Sequence, residues 1–125
     1  MTTQDYEKFI PTVNGPNMQS LLTRLEQMKD TNTDLGDVLL AALGLPGEVG
    51  EVVDILKKWV FSGKTLDLTH LKKEMGDVMW YFTLLGISFG FSLDDIMEQN
   101  AEKLKARFPN GFNYHDANNR KPEDI

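Results

Sequence analysis

Two pairs of carboxylates in the chain have the spacing to do chemistry: Glu48-x-x-Glu51 and Glu74-x-x-Asp77. On a helix, residues three apart share a face, so both side chains of a pair reach toward one point. Four carboxylates gathered together repel one another, and several then hold their protons more tightly than a free carboxyl does. A hard divalent cation removes that conflict. Oxygen donors suit Mg²⁺ or Mn²⁺, and Mg²⁺ leaves positions open for water and phosphate oxygens. One acid pair on a helix is ordinarily a solvated face. Two pairs on consecutive helices, both beside apolar stripes, are harder to read that way.

Wheel positions separate the four acids. At roughly 100° per residue, Val52, Ile55, Leu56 and Trp59 define an apolar arc. Glu48 falls inside it and Glu51 at its edge. Lys58 follows Glu51 by one heptad on the same face, and Asp54 flanks that edge. On the next helix the arc holds Leu71, Met75, Val78, Phe82 and Leu85. Glu74 borders it, Asp77 lies just outside, and Tyr81 falls between the two acids in angle. If the two helices pack antiparallel, the acid pairs face each other. Glu48 is the strongest single argument for a bound cation, because an unpaired charge within an apolar arc is the hardest to accommodate.

Further along, Asn100, Lys103 and Arg107 form one stripe at helical spacing. Lys as a point charge and Arg as a planar fork are natural partners of phosphate. The plainer alternative is a solvent face interleaved with Glu98, Glu102 and Lys105. His70 follows Asp67 by three residues and precedes Glu74 by four. An acid-x-x-His pair is the unit of carboxylate-bridged di-iron bundles, but those need the motif twice. The other histidine, His115, lies in a polar tail, so His70 reads as a surface residue on the first turn of its helix.

The elements that must carry these residues are helices. Met18, Leu21, Leu22, Leu25 and Met28 recur at three and four after Asn17, a suitable N-cap. A second helical pattern runs from about Asp34 to Phe61, with Pro46 expected to kink or restart it; Ser62-Gly63-Lys64 stops it. A third begins near Leu66–Leu68 and runs to about Ser88, where Gly90 breaks it. A fourth follows Ser92 and reaches about Phe108, with Asp94 and Asp95 complementing the dipole of its first turn. Residues 1–16, with Pro11, Gly15 and Pro16, read as an irregular arm with room for one turn around Asp5–Phe9. Pro109-Asn110-Gly111 is a turn, and residues 113–125 form a polar tail, frayed or laid on a partner. The expected class is all-α: one domain over 1–125, about four helices in a bundle. Helices this long in so short a chain point to a second subunit completing the bundle.

Bulk properties narrow the function. A chain of 125 residues suits one domain. A net charge of −6 gives no long-range attraction to nucleic acid or to an anionic membrane, so neither is an expected partner. The absence of Cys excludes disulfides, thiol nucleophiles and Cys-based zinc sites. No apolar run reaches the roughly 18–20 residues of a membrane helix, and the first residues lack the basic-then-apolar order of a signal peptide. A cytoplasmic location is the default expectation.

Three segments carry a family likeness: Gly44-Leu45-Pro46-Gly47-Glu48-Val49-Gly50-Glu51-Val52-Val53-Asp54-Ile55-Leu56-Lys57-Lys58, then Lys73-Glu74-Met75-Gly76-Asp77-Val78-Met79-Trp80-Tyr81, then Asn100 to Phe112. In this order and spacing the chain resembles the MazG-like nucleotide pyrophosphohydrolases over about Leu35 to Phe112. The family's metal motif is Glu-Glu-x-x-Glu followed by Glu-x-x-Asp. Glu48 and Glu51 match the last two acids of its first part, and Glu74 and Asp77 its second; Gly47 stands where the first Glu often is. The resemblance implies an all-α fold, homodimers or dimers of dimers, and Mg²⁺-dependent cleavage of a nucleoside triphosphate to monophosphate and pyrophosphate, with Mn²⁺ a possible substitute. On that reading water attacks the α-phosphorus, and Glu48 or Glu51 positions it or takes its proton. Lys58, Asn100, Lys103 and Arg107 match positions expected to contact substrate phosphates. Trp59, Trp80 and Tyr81 are candidates to pack on the base, against the commoner role of such aromatics as core. The competing class is a non-catalytic helical dimerisation or regulatory module, in which the acids are surface residues.

Overall fold

Period-3.6 apolar patterning bounded by capping residues dictates helices, and the computed structural model, which describes residues 1–122, contains no strand among them. The fold is all-α. Five helices have eleven or more residues: α1 (Thr3–Val13), α2 (Met18–Met28), α3 (Leu35–Ser62), α4 (Leu68–Ser88) and α5 (Leu93–Arg107); a short α6 spans Tyr114–Asn118. The chain divides into two compact units, Met1–Asn32 and Thr33–Ile125.

In the first unit, the arm expected to be irregular is a helix. Thr2 caps α1 with a capping box: its hydroxyl accepts from the Asp5 N–H at 3.1 Å, and the Asp5 carboxylate accepts from the Thr2 N–H at 2.9 Å. The Thr2 N–H and the Thr2 hydroxyl both donate to the Asp5 carboxylate, which holds that carboxyl below its ordinary pKa. Pro11 sits inside α1, near its C-terminal end, where it forfeits one backbone bond without ending the helix. A second capping box, Asn17 with Ser20, starts α2 where expected.

In the second unit, Asp34 caps α3 by accepting from the Gly36 and Asp37 N–H groups. The helix then runs 28 residues and continues past Pro46. The expected restart does not occur: Pro46 withholds only the bond its N–H would make to the Ala42 carbonyl, and the helix is otherwise long enough to carry it. Gly63, at φ 63°, ends α3 in the left-handed conformation that glycine adopts without steric cost. Asp67 caps α4 through the His70 N–H at 2.9 Å. Beyond Ser88 the chain turns at Gly90, with φ 76°, and the Phe91 N–H returns to the Gly86 carbonyl at 3.0 Å. Ser92 and Asp95 form the capping box of α5. Of the tail expected to be frayed or laid on a partner, Tyr114–Asn118 winds into α6, because the Asn113 side chain caps it by accepting from the Asp116 N–H at 2.8 Å. Residues 123–125 of that tail lie outside the described residues.

The extensive helix–helix packing in this unit is α3 on α4. The two are antiparallel: Gly44 lies against Tyr81, while Val49 and Val52 line a small apolar cleft with Met75 and Val78. Gly44 is the point of closest approach. A Cβ there would lie 2.3 Å from the Tyr81 ring, so only glycine fits.

The pair leaves much of its apolar surface open. Ala41 is the one hydrophobic side chain fully buried among the described residues, while Leu43 is 77% exposed, Phe61 84% and Trp80 56%. The arcs read from the sequence are therefore wider than the strip that one helix covers on the other.

The glycines of α3 give a direct check on this register. Gly44→Ala is expected to cost roughly 1–3 kcal/mol by overpacking against Tyr81. Gly50→Ala, where a Cβ meets nothing within 4 Å, is expected to stabilise by up to about 1 kcal/mol through helix propensity. Thermal unfolding followed by circular dichroism reads both; equal effects would contradict the packing described.

Candidate metal centre

The antiparallel register carries Glu48 of α3 to the α4 face that bears Glu74 and Asp77. One carboxylate oxygen from each of these three lies within 4.8 Å of the others. Glu48 and Glu74 are half-buried and Asp77 is exposed, so the group opens to solvent on one side. The Glu48 carboxyl is held above its ordinary pKa, first by partial burial and then by the charges of Asp77, Glu74 and Glu51. That is the electrostatic conflict expected of clustered acids. Three hard oxygen donors that share an open side are a donor set suited to a divalent cation.

Glu51, expected as a fourth ligand, lies outside this group. It sits one turn along α3 at the exposed edge, near enough for its charge to raise both Glu48 and Lys58. His70, read from the sequence as a plain surface residue, is exposed but engaged: its Nε2 lies 2.9 Å from Glu74 Oε1. The i,i+4 spacing of His70 and Glu74 was the signal available for this contact. Asp67 stands apart from the centre because its carboxylate caps α4, which holds its pKa below the ordinary value.

Residues 41–112 match the family model of the MazG nucleotide pyrophosphohydrolase domain. The chain belongs to this family. It is also similar to the Gene 37 protein of Mycobacterium phage L5, 32% identical over 83 residues, covering 62% of this chain and 72% of that protein. No solved structure matches the chain.

The MazG match begins within α3 and runs past the end of α5, so it contains the three carboxylates, Glu51 and every other residue singled out for substrate. Those residues lie on three helices: Lys58 on α3, Tyr81 on α4, and Asn100, Lys103 and Arg107 on α5. Lys58 forms an ion pair with Asp54, which Lys57 also approaches at 3.3 Å. The hydrogen bond and charge of Asp54 raise the Lys58 pKa. Tyr81 is half-buried, its ring against Gly44 and edge-on to Trp80 at 4.8 Å between centroids, so it serves the α3–α4 contact. Asn100 and Lys103 are exposed on α5, whose Ile96 lies beside Gly86 of α4. Arg107 is half-buried, its guanidinium 5.9 Å from the Phe108 ring centroid.

The raised Glu48 pKa has a consequence for stability. A carboxyl that binds its proton more tightly when folded contributes stability fully present below its unfolded pKa and lost as pH rises through the folded value. The ion-free protein is therefore expected to lose stability across that window, and Glu48→Gln to raise its Tm at pH 7 but much less at pH 4. Added Mg²⁺ or Mn²⁺ is expected to raise the Tm of the wild type and not that of Glu48→Gln. An unchanged wild-type Tm under saturating Mn²⁺ would contradict the centre.

Proposed function

We propose that this MazG-family chain is a Mg²⁺-dependent nucleoside triphosphate pyrophosphohydrolase, converting (d)NTP to (d)NMP and pyrophosphate by attack of water on the α-phosphorus. The convergence of Glu48, Glu74 and Asp77 inside the matched segment supports this reading most directly. Bound there, Mg²⁺ supplies positive charge to the phosphate oxygens and makes a neighbouring water a stronger nucleophile.

The chain's own residues divide the remaining work. Glu48, Glu74 and Asp77 hold the cation. Glu51, exposed beside them, orients the attacking water or accepts its proton, with Glu48 the alternative base. Attack forms a P–O bond at the α-phosphorus and breaks the bridging bond to the β-phosphate. Lys58, Lys103 and Arg107 oppose the charge that develops on the departing pyrophosphate, and Asn100 donates to its oxygens. For Lys58 this requires exchanging Asp54 for phosphate. Such contacts are needed because a chain of net charge −6 otherwise repels its substrate. Tyr81 lines the substrate side of the helix pair. A cytoplasmic location fits a substrate of this class.

A second copy of the chain completes the fold. Large apolar residues on α3 and α4, among them Leu43, Val60, Phe61 and Trp80, are about half or more exposed. Surfaces of this kind are ordinarily covered by a partner. Dimers or dimers of dimers would cover them and bring further cations near the carboxylates.

With Mg²⁺ and a panel of (d)NTPs, the expected products are monophosphate and pyrophosphate in equal amounts; release of inorganic phosphate would contradict attack at the α-phosphorus. Glu51→Gln and Asp77→Asn are expected to lose at least about 10²-fold in kcat with helicity intact by circular dichroism. Light scattering is expected to give a mass that is a multiple of the 14.2 kDa chain; a monomer at micromolar concentration would contradict the assembly.

A further inference from the structure

Among the described residues, Glu74 is the one member of the carboxylate trio held by a side-chain hydrogen bond. Its partner is His70 Nε2, 2.9 Å from Oε1. The two side chains differ sharply in environment: Glu74 is 18% exposed and His70 is 56% exposed. The imidazole thus lies on the solvent side of a carboxylate that is largely enclosed by the helix pair. His70 is itself fixed at the start of α4, because its backbone N–H donates to the capping Asp67 carboxylate at 2.9 Å.

We infer that His70 is a positioning residue for the candidate metal centre, holding the Glu74 carboxylate in the orientation that binds the cation. This rests on the reading of that centre as a divalent-cation site. A carboxylate only accepts, so Nε2 carries the proton and donates it. Oε1 is engaged in this way, and the second oxygen is left to the ion. An imidazole suits the task better than lysine or arginine: its short, rigid ring supplies one directed N–H at a fixed distance from the helix. Partners of this kind orient metal-binding carboxylates, and their loss ordinarily weakens metal binding by about ten- to a hundredfold.

Mn²⁺ titration of the full-length protein, followed by electron paramagnetic resonance, tests the inference on the wild type, His70→Ala, His70→Gln and Glu74→Gln. We expect His70→Ala to weaken Mn²⁺ binding about tenfold and His70→Gln, whose amide can still donate, to remain close to wild type. Glu74→Gln should bind weakest. The electron spin echo of the wild-type complex should show no directly coordinated nitrogen. Wild-type affinity in His70→Ala, or equal weakening in the Ala and Gln variants, would overturn the role while leaving the metal centre standing. A nitrogen ligand in the spectrum would also overturn it, by making His70 a ligand. Failure of the wild type itself to bind Mn²⁺ would overturn both readings, and is thereby distinguishable from failure of this one.

Discussion

The close approach of α3 and α4 at Gly44 is the constraint on which the rest of the molecule depends. The Tyr81 ring occupies the space that a side chain at residue 44 would need, and that contact fixes the antiparallel register. One helical turn onward from Gly44 is Glu48. One turn back from Tyr81 is Asp77, and Glu74 lies a further three residues back. Because an α-helix repeats every 3.6 residues, the contact that requires glycine and the meeting of the three carboxylates are the same alignment seen one turn apart. A side chain at residue 44 would displace both.

That alignment has an electrostatic cost. Glu48 is half-buried among three other acids, and its carboxyl is pushed up by burial and by their charges. A structural surface would disperse such groups into solvent. Here they are concentrated on the strip where the two helices meet, with the Glu74 carboxylate held by His70. The neighbouring cations do not offset the cluster within one chain: Lys57 and Lys58 are both drawn to Asp54. Such a cluster could hold a metal ion, which accords with membership of the MazG family.

The same helices are also short of cover. A pair of helices can bury one strip on each, and the apolar arcs of α3 and α4 are wider than that strip. Trp59, Val60, Phe61, Met79 and Trp80 all remain substantially exposed. The site and the open apolar surface are therefore carried by the same two elements, so any partner that covers one bounds the approach to the other.

Much of this was legible in the residues alone. The apolar period, Asn17 and Ser92 as caps, and Gly63 and Gly90 as stops are local matters of propensity and hydrogen bonding, and they locate α2 to α5 without reference to the rest of the chain. The order of the acid pairs and the resemblance they carry are likewise properties of the sequence. Pro11 and the polar tail misled, because a proline late in a helix costs a single bond and a cap as good as Thr2 or Asn113 outweighs it. What tertiary structure decided was register. A wheel puts Glu48 inside the apolar arc and Glu51 at its edge but cannot say which residues of the other helix they meet; packing at Gly44 brings Glu48 to Glu74 and Asp77. It likewise sets Tyr81 against Gly44, which the place of an aromatic on one helix does not state, whereas the His70–Glu74 contact, four residues apart on α4, is local. Local spacing states what a face holds, and only the packing of one face on another states which atoms meet.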